Sequence, residues 1–269
     1  MPVDHLTDGH PQIVVEFDNW DTAETTTAQD IHLSLTGTWW FIRKYPRWRF
    51  RGHPADNPDS DTVANLPALL DQLAAAGTIR RWHASTYEPE THAFGGPAGM
   101  QLAHELFHHD STAILDTLHQ PPATMPGRRE LTVVAISTLL RAARQDWFEQ
   151  GDLWARVAQL RRTDLLPPPV SPHAGTAIHR LMTIDARSGS PLLTDQPLAP
   201  LTAWFAAFDH AGRELARLND RGELQRGIRA VLAHHVIFHW NRLGIPHTDQ
   251  LALAGLARDV VLHPERLDV

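Results

Sequence analysis

The residues Arg47-Trp48-Arg49-Phe50-Arg51 alternate strictly between guanidinium and aromatic side chains. A period of two belongs to a β-strand, where successive side chains leave opposite faces of the pleated backbone. One face of that strand therefore packs through Trp48 and Phe50, while the other carries three arginines. A row of this kind has two uses. It protects an exposed sheet edge by charge, or it binds carboxylate or phosphate, because arginine offers a planar fork of donors matched to those groups. Arg43, on the preceding segment, is expected to extend the cationic surface.

Two further strands are legible before this one in the sequence. Gln12–Phe17 is a short β-branched run bounded by proline and by Asp18-Asn19, and Thr38–Lys44 is aromatic and β-branched up to the turn at Tyr45-Pro46. Between them a helix is expected from a cap near Asp21 or Thr22 to about Leu35. After a polar loop at 52–61, Thr62 or Asn65 is placed to cap a helix carrying Leu66, Leu69, Leu70 and Leu73 and ending at Gly77. Thr78–Tyr87 reads as extended. Phe94-Gly95-Gly96-Pro97 then switches the chain into a helix from about Ala98 to His119, since glycine admits positive φ and proline suits a first helical turn.

Prolines and glycine at 121–127 divide this half from a helical remainder. Glu130–Glu149 reads as one buried helix, with another continuing through Leu160. The prolines and glycines of 165–200 suggest a long surface connection or lid. Helices over Leu201–Leu218, Leu224–Arg242 and Thr248–Val260 close the chain. The expected class is α+β, with a small mixed or antiparallel sheet in the N-terminal half packed with a largely helical C-terminal half. The 269 residues are expected to form a single domain.

Composition narrows the chemistry. A formal charge of −7 and a pI near 6.2 argue against direct nucleic-acid binding. With no cysteine, thiolate catalysis, disulfides and cysteine-ligated zinc are excluded. No apolar run is long enough to span a bilayer and no signal peptide is evident, so a cytoplasmic protein is expected. No glycine-rich phosphate loop points to an organic cofactor.

Two histidine arrangements stand out. His104-Glu105-Leu106-Phe107-His108 has the H-E-x-x-H spacing of a zinc helix, but 18 histidines raise the chance of such a pentapeptide arising from composition alone to the order of several per cent, and no third ligand can be singled out. His235 and His239 form a second i, i+4 pair, with Arg242 on or near the same face. Such histidines serve either as hydrogen-bonded interface residues or as a general acid and base, with Arg242 beside them for an anionic group. Glu88 and Glu90, flanking Pro89, read as structural.

The set Trp39–Lys44, Arg49-Phe50-Arg51, Tyr87-Glu88-Pro89-Glu90, Phe94-Gly95-Gly96-Pro97, Gly99-Met100, Leu106-Phe107-His108 with Asp110-Ser111, and Trp240-Asn241-Arg242-Leu243-Gly244 resembles the thiopeptide-type bacteriocin biosynthesis family. That family includes the C-terminal elimination domain of lantibiotic dehydratases. The resemblance spans nearly the whole chain and makes His108 part of a family segment rather than a zinc ligand. It implies a stand-alone enzyme that removes glutamate from glutamylated serine or threonine of a precursor peptide, leaving dehydroalanine or dehydrobutyrine. Arg49 and Arg51 would then bind glutamate or the oxyanion, with Arg43 and Arg242 as helpers, and His239 or His235 as the acid/base. The implied partners are the precursor peptide, a glutamyl-tRNA-dependent glutamylation protein and a second copy of the chain; metals and cofactors are not implied.

The chain departs from the elimination pattern twice. Elimination domains resemble Glu-Arg-Tyr-Gly-Gly where His92-Ala93-Phe94-Gly95-Gly96 stands, and their Leu-His-Met run aligns its histidine with Ile237. A diverged branch of the family, the pyridine synthases that join two dehydroalanines by aza-[4+2] cycloaddition with loss of the leader peptide, is the alternative reading. A noncatalytic leader-binding partner of a dehydratase is another.

Overall fold

In the computed structural model the alternating residues form the second strand of a hairpin that pairs with one strand from earlier in the chain. The structure describes residues 10–53, 66–119, 126–162, 164, 173–187, 189–194 and 198–266. Strand β1 is His10–Phe17, β2 Trp39–Lys44, β3 Arg47–Gly52 and β4 Ile79–Tyr87. They make a four-stranded sheet in the order β2-β3-β1-β4, every neighbouring pair antiparallel. The expected α+β class is found: a small antiparallel sheet in the N-terminal half, followed by mostly helical chain.

Two compact units divide the chain, Met1–Pro89 with Phe107–Ala123 and Glu90–Leu106 with Thr124–Val269. In the first, the aromatic face of the sheet is core. Ile13, Val15, Phe41, Trp48 and Phe50 are buried, and the Phe41 and Trp48 rings stack with centroids 4.7 Å apart. Burying each such side chain stabilises the fold by about 1.5–3 kcal/mol. The segment expected as one helix to Leu35 is helical in three parts: α1 at Ala23–Thr26, a π turn at Thr27–Ile31 and a 3-10 turn at His32–Ser34. Thr22 makes no side-chain cap bond, and the Thr27 hydroxyl donates to the Ala23 carbonyl at 2.7 Å, a local bond that bends a helix. Helix α2 is Leu66–Ala75; the caps expected at Thr62 or Asn65 lie outside the described residues.

Helix α3, Pro97–Thr117, gives its second half to this first unit. That half finishes the sheet at β2. The Ser111 hydroxyl accepts the Phe41 N–H at 3.1 Å, and His108 Nδ1 lies 3.0 Å from the Trp39 oxygen and 3.4 Å from its nitrogen. Backbone groups that an edge strand would expose are thus met by side chains of a covering helix.

The second unit is helical: α4 Arg128–Ala142, α5 Trp147–Leu160, α6 Ala174–Thr183, α7 Pro191–Thr194, α8 Thr202–Asp220, α9 Ile228–Leu243 and α10 His247–Leu262. Three expectations are corrected here. Glu130–Glu149 is not one helix, because Arg144 takes φ +58° and Asp146 opens a new helix with a reciprocal cap. Its carboxylate accepts the Glu149 N–H at 2.8 Å, while Glu149 accepts the Asp146 N–H at 2.9 Å. The span 165–200 is not all irregular: α6 and α7 lie within it, burying Ile178, Met182 and Leu193. Residues 165–172 lie outside the described part. The helix expected from Leu224 starts only at Ile228, leaving Leu224 and Gln225 in the loop before it. No helix among the described residues is long and apolar enough to cross a membrane.

Candidate functional site

Antiparallel register aligns the arginine row with alternate residues of β1: Arg47 opposite Glu16, Arg49 opposite Val14, Arg51 opposite Gln12. Each arginine therefore meets different chemistry. Arg47 Nε donates to the Glu16 carboxylate at 3.2 Å. Arg51, 5% exposed, donates from Nε to Gln12 Oε1 at 2.9 Å, and its guanidinium carbon lies 3.8 Å from the Tyr87 ring centroid. Gln12 in turn donates to the Ser85 hydroxyl at 2.8 Å, so a polar chain runs from β3 across β1 to β4. It fixes the plane of the Arg51 guanidinium.

Arg49 differs from both. Its register partner is an apolar valine, and among the described residues no ion pair engages it and its buried Nε finds no acceptor. Leaving a buried donor unmatched costs about 1–3 kcal/mol, more for a charged group. An oxygen-bearing anion laid on this face would relieve that cost.

Arg43 does not extend the row. Its register partner is Trp48, so it leaves the sheet on the aromatic face. There its guanidinium carbon lies 4.4 Å from the Trp48 ring centroid and Nη2 bonds the Glu24 carboxylate at 2.5 Å. An odd-numbered residue of β2 shares a face with an even-numbered residue of β3, a consequence of hairpin register that spacing alone does not reveal. The bond from Arg43 to Glu24 ties α1 to the sheet.

In the second unit, His235, His239 and Arg242 occupy successive turns of α9, each 1% exposed. His235 packs edge-on against Phe94, with ring centroids 4.9 Å apart, and His239 against Phe208 at 5.1 Å and Trp204 at 6.1 Å. His234, half-buried, instead binds its own helix through Nδ1 and the Ala230 oxygen at 2.8 Å. Burial holds its pKa below the ordinary value.

The Phe94-Gly95-Gly96 turn is what brings Phe94 to α9. Gly95 and Gly96 take φ +84° and +103°, and the Gln225 N–H donates to the Gly95 oxygen at 2.8 Å. A β-carbon on Gly99 would sit 2.0 Å from the Phe94 oxygen, so the turn and the start of α3 can approach only through glycine. The Ala93 oxygen lies 3.4 Å from Nη1 of Arg226, which comes from the loop before α9. Sequence reasoning missed Arg226, because nothing in the residues near 226 signals a partner at 93. It also missed Gln12 and Glu16, although their spacing of four in a strand places them on one face.

Among the described residues the H-E-x-x-H spacing is not part of a cluster of metal-ligating side chains. His108 turns its Nδ1 to the backbone of β2, Glu105 is exposed, and among the described residues no group of three or more metal-ligating side chains converges.

An antiparallel sheet with an arginine face is followed in the chain by a helical unit whose glycine-pair turn meets the loop before α9. The family model described as lantibiotic biosynthesis dehydratase C-term matches residues 26–261, and the chain belongs to that family. The family is one of lantibiotic biosynthesis, which is the broad assignment its members share. Among solved structures the chain is similar to the tRNA-dependent lantibiotic dehydratase MibB from Microbispora sp. 107891, at 17% identity and a TM-score of 0.68. The alignment covers 97% of this chain and 28% of MibB, so the chain spans little more than a quarter of that protein's length. It has no significant match among curated protein sequences.

Proposed function

We propose that this protein removes glutamate from glutamylated serine or threonine side chains of a precursor peptide. The observation that carries the reading is Arg49, a guanidinium on a sheet face whose buried Nε finds no acceptor among the described residues. In the reaction a base takes the proton from the α-carbon, the Cβ–O bond breaks, and the glutamyl carboxylate departs as a double bond forms between α- and β-carbons. Arg49 and Arg51 hold the glutamyl carboxylates and stabilise the enolate charge that develops as the proton leaves. His239 or His235 moves the proton. Arg242 and Arg226 add positive charge on the second unit, Arg226 standing beside the position where the elimination pattern has its arginine. The peptide substrate, the separate glutamylation protein that prepares it, and self-association belong to the same reading, as does the treatment of residues 1–269 as one functional domain.

The test is a glutamylated precursor peptide incubated with the purified protein and followed by mass spectrometry. Loss of one glutamic acid per modified residue is expected. An unchanged adduct would refute elimination.

Ala93 and Ile237 favour one second reading, pyridine formation from two dehydroalanines. Both positions lack the side chain that the elimination pattern supplies. Release of the leader peptide from a dehydroalanine-containing precursor, without any glutamylated intermediate, would select it.

A further inference from the structure

The two edges of the sheet are finished differently. At β2 the outward backbone of Trp39 and Phe41 is met by His108 and Ser111. At β4 the residues from Arg80 to Thr86 are exposed or half-exposed, and no described residue outside the sheet bonds their backbone. Pairing with β1 is regular from Trp82 to Thr86, so alternate N–H and C=O groups over this stretch point outward in strand geometry. Among the described residues this edge is open, a template for one more strand.

Charge at one end of that edge specifies what kind of strand. The β1–β4 ladder slips between Glu16 and Phe17, so that Glu16 faces Arg81, Phe17 faces Ile79, and Arg80 is the extra residue of a bulge. The slip lets adjacent arginines reach the same carboxylate. Arg81 Nη2 lies 2.9 Å from Glu16, Arg80 Nη1 3.6 Å, and Arg47 Nε 3.2 Å. Three positive charges around one negative charge leave a surplus of two. The Arg80 and Arg81 side chains are 68% and 65% exposed, beside the regular part of the edge. Trp82 turns to the opposite face, its indole N–H donating to Asp71 at 2.9 Å.

We propose that β4 docks an extended acidic peptide segment by strand addition, its backbone pairing along Trp82–Thr86 and a carboxylate side chain meeting Arg80 and Arg81. The backbone ladder gives affinity and the arginine pair fixes direction and selects acidic partners. A second copy of the chain fits less well, since it would bring one cationic edge against another. This docking stands independently of the reaction proposed above.

The experiment uses the full chain and a fluorescein-labelled heptapeptide of alternating valine and threonine with two glutamates at one end. Anisotropy is expected to rise with this peptide and not with a version carrying lysines in their place. N-methylation of alternate peptide residues should abolish binding in one register and spare it in the other, because only one set of peptide N–H groups faces the edge. The double variant Arg80→Glu/Arg81→Glu, checked for an unchanged melting curve, should bind about tenfold or more weakly. Absence of binding to the unaltered protein would overturn the proposal. Binding indifferent to N-methylation in both registers would reduce the site to charge attraction and overturn it too. So would a dimer, seen by sedimentation, that uses this edge and excludes the peptide.

Discussion

His108 turns its Nδ1 to the backbone of Trp39, 3.0 Å from the carbonyl oxygen, across 69 residues of sequence. The second histidine of the H-E-x-x-H spacing is therefore spent on finishing a sheet edge. His108→Ala should lower stability by about 1–2 kcal/mol, the cost of an edge group left without its partner. Incubation with a chelator should leave the melting temperature of the unaltered protein where it was. A chelator-induced drop would contradict the structural role.

Gly99 carries a sharper expectation. A β-carbon there would overlap the Phe94 oxygen, which is backbone and cannot rotate away. Gly99→Ala should destabilise the fold by about 3 kcal/mol or more, through displacement of the turn that seats Phe94 against His235. Equal chemical-denaturation midpoints for the two proteins would show that the close approach is not required.

Arg226 is expected to support catalysis where Ala93 cannot. Arg226→Ala should reduce kcat/KM for a glutamylated peptide on the order of tenfold or more, and Arg226→Lys should restore part of it. If alanine leaves the rate unchanged while the melting curve is also unchanged, the 3.4 Å contact with the Ala93 oxygen is only a loop tether.

Acid should weaken the fold in two stages. His10, His32 and His234 all have pKa values held below the ordinary 6.5, burial being the main cause in each. In that condition the unfolded chain binds protons that the folded chain resists, so stability falls as pH drops through about 6.5. Glu16, held below the usual carboxylate range mainly by its hydrogen bond to Arg81, and Asp185, lowered to about 2 mainly by its hydrogen bond to Arg187, act later. Their stabilisation is present above the unfolded carboxylate pKa and lost below it. Thermal melts from about pH 8 to about pH 5 should show the first decline. A flat or rising melting temperature across that range would contradict it.

Much of this fold is legible from local pattern. The period-two alternation at 47–51 defines a strand with two unlike faces, and Phe94-Gly95-Gly96-Pro97 marks the switch into α3. What local pattern does not carry is register. Whether Arg43 joins the arginine row depends on how β2 pairs with β3, and that pairing turns it towards Trp48 and Glu24. The break between α4 and α5 is legible in principle, since Asp146 and Glu149 have the capping-box spacing, but apolar residues on either side of it, Leu139 and Trp147 among them, suggest continuity. The contact of Arg226 with Ala93 spans 133 residues and has no sequence signature. On α9, apolar residues nearly surround the helix, so period alone could not say that His235 and His239 sit among aromatic rings rather than at a surface.

The measurement that bears most directly on the proposed reaction is glutamate release by the double variant Arg49→Ala/Arg51→Ala, with folding checked by its far-ultraviolet dichroism. If the arginine face holds the glutamyl carboxylates, the unaltered protein converts a glutamylated peptide to its dehydro form and the double variant leaves the adduct intact, a loss of at least about a hundredfold. A folded double variant that still releases glutamate at the original rate would show that β3 is a charge-protected strand and that the chemistry lies elsewhere.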